Sequence, residues 1–423
     1  MAAELFDRAG RSRVMHLPHS GDPEDRGTTP TAHAGPADSP GAQVPPPVGS
    51  TPAGPADSPE ATAGPADSPG ASAGPPRRSP WRRAGSRGAG VALAGAGVVV
   101  GCRIVGVDGI TPVPQLLAFL PWMLVPAGLG LLLAALARHR GLVACALVVL
   151  TATSWYVQPY DTDPRTPHGP VVARLRVLTA NVEFGQATGD LVAAVRREKP
   201  DLVFVQECAR ACSEALAGRI PRADYPYRTV VEGEFASGSA ILSAHPLTPA
   251  PGIRGVLAMP GAEARIGGRT VQLQLAHPLP PIPGGVDAWR EELGLVSAYA
   301  TAHKDRPAIL AGDFNATQDH AAFRRLLDAG DLHDSARLAG ASRTPTWPAT
   351  APRPLGAQID HVLVSEDFGV TGARFLDLAD TDHRALLVAL ELRDAGDARD
   401  TGGARDTGDA RDTGDARDTG DGG

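Results

Sequence analysis

Eight residues with chemically useful side chains stand at the ends of apolar runs. Asp313 and Asn315 close "ILAGDFNA", Asn181 follows "LTA", Glu207 follows "FVQ" and His277 follows "LA". Asp360 stands just before "VLV", and Asp382 and His383 precede "RALLVALEL". Carboxylates, carboxamides and imidazoles can chelate a cation, orient water or pass a proton. Taken singly, each has an ordinary explanation: an Asn after a strand is mostly a turn residue, and a lone His before Pro278 is mostly structural. Together they recur where strands meet loops, the usual place for sites in layered α/β folds. Asp313 and Asn315 are two apart, and residues i and i+2 of an extended chain face one side. Such a pair either caps a turn or shares a reaction centre.

The elements that must position these residues are legible as alternating strand and helix. "LRVLTANV" (175–182) reads as a strand, "GDLVAAVRREKP" (189–200) as an amphipathic helix ended by Pro200, and "DLVFVQE" (201–207) as a returning strand. "YRTVVE", "SAILSAHPL", "IRGVLAMP" and "VQLQLAHPL" read as short strands punctuated by Gly and Pro. A helix over 286–303 leads into "PAILAGDFNA", and "IDHVLVS" and "HRALLVALEL" close the domain. Strands beside strands with helices interspersed predict sheets sandwiched between helices in one α/β domain.

Outside this domain, composition changes sharply. Residues 1–87 are rich in Pro, Ala, Gly and Ser and carry AGPADSP three times, from Ala34, Ala53 and Ala63; this region is expected to be disordered. From 393 to 423 a unit close to ARDTGD repeats, and a solvated disordered tail is expected there too. Residues 88–157 are apolar, with three candidate transmembrane spans at about 88–107, 114–137 and 142–157; residues 158–171 read as a linker. Arg77, Arg78, Arg82, Arg83 and Arg87 precede the first span, and Arg138, His139 and Arg140 lie between the second and third. Positive residues stay cytoplasmic, so three crossings place the folded domain outside the cell.

The formal charge is −7, and within 172–393 there are 23 Lys plus Arg against 26 Asp plus Glu. That balance is not the basic footprint of a domain gripping nucleic acid mainly through phosphates. Cys208 and Cys212 are spaced to sit about one helical turn apart, and a disulfide between them is left open. The chain has no Walker loop, no G-x-S-x-G and no paired CxxC.

The ordered set "TANV", "VQE", "GSAILS", His277, "GDFNA", "PTWP", "IDHVLVS" and "TDHRAL" resembles the endonuclease/exonuclease/phosphatase superfamily over 172–392. With the upstream spans, it looks like a membrane-anchored branch. The resemblance implies a four-layered α/β sandwich, two mixed sheets flanked by helices, preceded by about three transmembrane helices. It implies divalent-metal-dependent hydrolysis of a phosphodiester or phosphomonoester, with nuclease activity among the options. Glu207, Asp382 and Asn181 would hold Mg²⁺, or Mn²⁺ in its place. Asp313 would orient or deprotonate the attacking water, and Asn315 would hold that water or a phosphate oxygen. His277 and His383 would donate to the non-bridging oxygens, with Asp360 orienting His383. Expected partners are a phosphate ester (nucleic acid, lipid head group or small phosphate) and the lipid bilayer; no protein partner is called for. The alternative is a catalytically silent surface module of the same fold.

Overall fold

In the computed structural model, residues 79–160 and 167–394 are described. The expected disorder of 1–78, the middle of the linker (161–166) and the repeat tail from 395 lie outside the described residues.

Val177 and Leu178 are chain neighbours, yet they pack into different cores. Successive strand residues point to opposite faces, so a strand apolar on both must be covered on both. That requirement sets the layering. The strands in chain order are β1 (Val171–Asn181), β2 (Leu202–Gln206), β3 (Tyr227–Val231), β4 (Ser239–Ser243), β5 (Leu247–Arg254) and β6 (Ala258–Ile266). They continue as β7 (Arg269–Ala276), β8 (Ala308–Asp313), β9 (His333–Asp334), β10 (Asp360–Val364), β11 (Phe368–Asp377) and β12 (Arg384–Arg393). One six-stranded sheet runs β11-β12-β1-β2-β4-β3, and the other runs β5-β6-β7-β8-β10-β9.

Val177, Phe204, Ile241, Leu273, Ile309 and Val388 interlock between the sheets. The first sheet's outer face carries Leu178, Val203 and Leu387 against two helices, Thr188–Glu198 and Arg210–Arg219. The second sheet's outer face packs Leu310 and Leu363 against Trp289, Leu293, Phe323 and Leu326 from helices Val286–His303 and Ala321–Gly330. Truncating a fully buried aromatic such as Phe204 or Trp289 costs about 3–5 kcal/mol. The result is two mixed sheets flanked by helices.

Topology turns this stack into a site. β1 and β2 are parallel, with Asn181 level with Gln206; β7 and β8 are parallel, with Ala276 level with Gly312. The C-terminal ends of both pairs therefore deliver Asn181, Glu207, His277 and Asp313. β10 and β12 run antiparallel to β8 and β1, so their N-terminal ends bring Asp360, Asp382 and His383 to the same ends. One rim collects residues separated by up to two hundred positions.

Several elements depart from expectation within the sandwich, among them β9 and the helices Arg210–Arg219 and Ala321–Gly330, which were not anticipated. "SAILSAHPL" and "IRGVLAMP" do not form one strand each but contribute to β4, β5 and β6. The edge strand β11 was not anticipated: "FGVTGARFLD" is half-buried along most of its length and shifts register between Val370 and Gly372, which erases a clean alternation.

Before the sandwich stand α1 (Pro80–Val105), α2 (Val113–Leu117), α3 (Leu124–Leu136) and α4 (Arg140–Tyr156). Residues 80–87, expected in the disordered region, form the first turns of α1, with Pro80 at the position where its missing N–H costs nothing. Of the three expected spans, one meets the length and hydropathy of a membrane-crossing helix: α1. The second apolar run, expected to cross unaided, is broken into α2, a 3₁₀ turn at Leu120–Met123 and α3. Pro121, inside the run, lacks the N–H a continuous helix needs, whereas Pro114 stands in the first turn of α2 where that N–H is not required. The third, α4, has 17 residues.

The helices pack side by side. A Cβ on Gly85 would lie 3.6 Å from Ala137, which puts the start of α1 beside the end of α3; Arg103 lies over Tyr156 at 5.1 Å, which puts the end of α1 beside the end of α4. The sandwich meets the latter end. Buried Asp319 accepts from Arg343 at 2.6 and 2.8 Å and from Arg103 at 3.4 Å, while Arg343 also donates to the carbonyls of Tyr156 and Val157. Asp108 accepts from Ala322 N at 2.7 Å, and His320 Nε2 contacts the Pro114 carbonyl at 2.8 Å.

Candidate active site

Asn181, at the end of β1, is the hinge of the rim. Its Nδ2 donates to Glu207 Oε1 at 3.1 Å and to Asp313 Oδ2 at 3.2 Å, tying the two sheets together. Its own Oδ1 accepts from Glu183 N at 3.0 Å, which fixes the amide so that nitrogen faces the two acids. Glu207 follows β2 with φ 55°, a turn that swings its carboxylate inward. Phe184 N donates to the second Glu207 oxygen at 3.1 Å. Burial nevertheless raises its pKa, outweighing Asn181 and the charge on His383.

Asp313 ends β8 and is buried. Burial raises its pKa; His383, Asn315 N and Asn181 pull the other way. His383 holds Asp360 Oδ2 through Nδ1 at 2.9 Å, while its Nε2 lies 3.7 Å from Asp313 Oδ2 and 3.6 Å from Asp382 Oδ1. Burial alone would lower this imidazole, but Asp360, Asp313 and Asp382 together raise it to about 10. His277 is the opposite case. Burial pulls it down to about 3, so it is neutral at physiological pH, with Nε2 3.8 Å from Glu207 Oε1 and Nδ1 without a hydrogen-bond partner.

Asn315 lies beyond the strand. β8 stops at Asp313, Phe314 turns into the core, and Asn315 adopts φ 49° with its N–H on Asp313 Oδ1 at 2.8 Å. The extended i, i+2 alternation expected for this pair is therefore replaced by a turn. Asn315 Nδ2 donates to the Pro278 carbonyl at 3.0 Å, and Trp289 Nε1 clasps the Asn315 carbonyl at 3.1 Å. One amide hydrogen of Asn315 remains for a ligand.

Asp382 is the most open of the acids, its side chain 40% exposed. Trp347 Nε1 donates to its Oδ2 at 2.8 Å, and its N–H is taken by Glu183 Oε2 at 2.8 Å. Its charge adds to the burial that raises the Glu207 carboxyl.

All eight sequence-selected residues thus meet at this rim. Others that were not selected hold them in place. Thr381 donates to the Asn181 carbonyl at 3.0 Å and accepts from His383 N; Thr346 Oγ1 accepts from the N–H groups of Ile359 and Asp360. Trp347 lay in the quoted "PTWP" without an assigned role, and Thr381 adjoins Asp382 and His383. Nothing in the sequence singles out Glu183.

The donor set suits a hard cation. Glu207 and Asp382 offer carboxylate oxygens near the Asn181 amide, and the Glu207 carboxyl, raised mainly by burial and further by the charge of Asp382, gains from a cation beside it. Asp313, Asp360 and His383 also offer three atoms within 4.8 Å of one another. In that group both His383 nitrogens face carboxylates, Nδ1 at Asp360 and Nε2 at Asp313.

A layered α/β sandwich with acids, amides and imidazoles on one strand-end rim defines a class of hydrolase-like folds. Residues 178–383 match the family model described as "Endonuclease/Exonuclease/phosphatase family", and the sandwich of this chain belongs to that family. Among solved structures, the chain is similar to humanized D. rerio TDP2 (15% identity, 52% of this chain and 99% of that one, TM-score 0.43). It is also similar to an endonuclease/exonuclease/phosphatase from Beutenbergia cavernae (20% identity, 52% and 72%, TM-score 0.42). A third is the family protein from Bacteroides thetaiotaomicron (19% identity, 52% and 98%, TM-score 0.41). No curated protein matches the chain.

Proposed function

We propose that this chain is a membrane-anchored phosphoesterase that hydrolyses a phosphodiester or phosphomonoester with a divalent cation, Mg²⁺ by preference, on the outer side of the membrane. The observation that carries it is the Asn181 amide shared between Glu207 and Asp313, which joins a cation-binding acid to a proton-accepting one. Glu207 and Asp382 would hold the cation; Asn181, also expected as a ligand, turns its amide nitrogen to Glu207 and so orients that carboxylate instead. When bound, it supplies charge neutralisation for the phosphate oxygens and the leaving oxygen.

Asp313 orients the attacking water and takes its proton, its basicity raised by burial. Doubly protonated His383 donates from Nε2 to a non-bridging oxygen, held in place by Asp360 as a carboxylate orients a catalytic imidazole. Neutral His277 and the free amide hydrogen of Asn315 add donors that become more valuable as negative charge develops. With every expected acid and imidazole present, the silent-module alternative is not favoured.

The helices support this location. The basic residues Arg82, Arg83, Arg138 and Arg140 lie at one end of the α1–α3–α4 bundle, and the sandwich contacts the other. Under the positive-inside rule that end is outside. The Cys208–Cys212 disulfide, closing the loop next to Glu207, suits an oxidising compartment.

The test is turnover of bis-p-nitrophenyl phosphate, p-nitrophenyl phosphate and plasmid DNA by the full chain in detergent, with Mg²⁺ and then with EDTA. Cation-dependent release from any of these supports the proposal. Absence of turnover across a broad phosphoester panel at saturating Mg²⁺ and Mn²⁺ refutes it.

A further inference from the structure

Apart from the catalytic rim, a cavity of about 590 Å³ lies between the helical bundle and the sandwich. This is within the usual ligand-pocket range of roughly 300–1,000 Å³. None of the eight rim residues lines it. Its bundle wall is apolar, from Ala118, Phe119, Trp122, Leu124 and Val125; its sandwich wall sets Gln318, Asp334, Arg343, Arg353 and His361 among Pro345, Pro354 and Ala357. A cavity with one greasy and one charged wall selects an amphiphile.

We propose that this cavity binds the headgroup and glycerol of an anionic phospholipid, with the phosphate at Arg353 and the acyl chains leaving along α3.

Charge decides the headgroup. Asp334 is already held by His361 and Gln358, and Arg343 by Asp319. Arg353 is held more loosely: its side chain is 59% exposed, and it forms a long ion pair of 3.8 Å with Asp377 Oδ2, whose Oδ1 is held by Arg384 at 2.7 Å. The most loosely held charge on the wall is therefore positive, and a guanidinium fits phosphate oxygens well.

The exit is equally marked. Val125, Leu129, Leu132 and Leu136 are exposed and recur every three to four residues, forming an apolar track down α3 away from the cavity. At the mouth, Trp122 Nε1 donates to the Pro354 carbonyl at 2.6 Å beside exposed Leu355, an amphipathic arrangement typical of a membrane interface. The inference rests on the helices being a membrane anchor, and not on phosphoesterase activity.

The test uses the full chain in phosphatidylcholine nanodiscs carrying a minor fraction of photoactivatable phosphatidylglycerol or, in parallel, photoactivatable phosphatidylcholine. Phosphatidylglycerol should crosslink to residues 118–125 and 353–358. Arg353→Glu should cut that labelling roughly tenfold, the loss of one charge-assisted contact, while Arg353→Lys retains it. Ala118→Trp, which fills the cavity, should abolish it, and phosphatidylcholine labelling of the outer faces of α1 and α3 should not change. Equal labelling by both lipids, insensitivity to Arg353→Glu and Ala118→Trp, or competition by inorganic phosphate alone would overturn the proposal. A chain that fails to stay in nanodiscs refutes the anchor and this site with it; a chain that stays but is not labelled at the cavity refutes the site alone.

Discussion

Asp313 and Asn315 meet across a turn: the Asn315 N–H donates to Asp313 Oδ1 at 2.8 Å while its backbone sits at φ 49°. The same bond caps the end of β8 and holds Asp313 still. Turn cap and reaction centre are therefore one arrangement here. The pairing also explains the glycine just before it. A Cβ on Gly312 would lie 1.9 Å from the Ala276 carbonyl oxygen, so β7 and β8 could not approach closely at the point where His277 and Asp313 leave them.

Gly312→Ala is accordingly expected to destabilise the sandwich by about 1–3 kcal/mol, the cost of forcing a backbone apart in a packed core. Thermal or denaturant melting of the full chain measures this. An unchanged midpoint would show that β7 and β8 yield at no cost.

Trp347 holds Asp382 by a single indole hydrogen bond of 2.8 Å. Trp347→Phe should raise the Mg²⁺ concentration for half-maximal activity roughly 10–100-fold, the usual effect of losing a group that orients a metal ligand. The rate at saturating Mg²⁺ should change far less. A lowered rate with unaltered Mg²⁺ dependence would remove Asp382 from the cation site.

Much of this arrangement was legible in the sequence because strand ends carry their own signal. Asn181, Glu207, Asp313 and His383 each terminate or begin a strongly apolar run, and parallel pairing sends those ends to one rim. The supporting groups were not legible. Glu183 acts through a left-handed turn and Thr346 through a side-chain cap on Ile359 and Asp360, contacts set by tertiary structure. The second apolar run reads as an unbroken span by hydropathy, yet it is divided ahead of Pro121.

His361, the neighbour of Asp360 on β10, offers a pH test through stability rather than turnover. Burial lowers its pKa, but Asp334 at 3.1 Å and the Ala316 carbonyl at 3.0 Å outweigh this and raise it. A pKa raised on folding gives stability that is full below the unfolded value of about 6.5 and lost as pH climbs through the folded value. Melting of the wild type should therefore weaken on the alkaline side of that window. Asp334→Asn should flatten this dependence; an identical pH profile in the variant would contradict the assignment.

Topology gives a further expectation. Protease added to intact cells should digest the sandwich, while alkaline carbonate leaves the chain in the membrane fraction. Full protection of the sandwich in intact cells, with digestion after lysis, would reverse the orientation.

The most direct measurement pairs Mn²⁺ binding, followed by its electron paramagnetic resonance signal, with turnover in two variants of the full chain. Asp313→Asn should lose roughly 10²–10⁴-fold in kcat while still binding the cation. Glu207→Gln should lose both. Wild-type turnover in either variant, or cation affinity untouched by Glu207→Gln, would contradict the division of labour between these two acids.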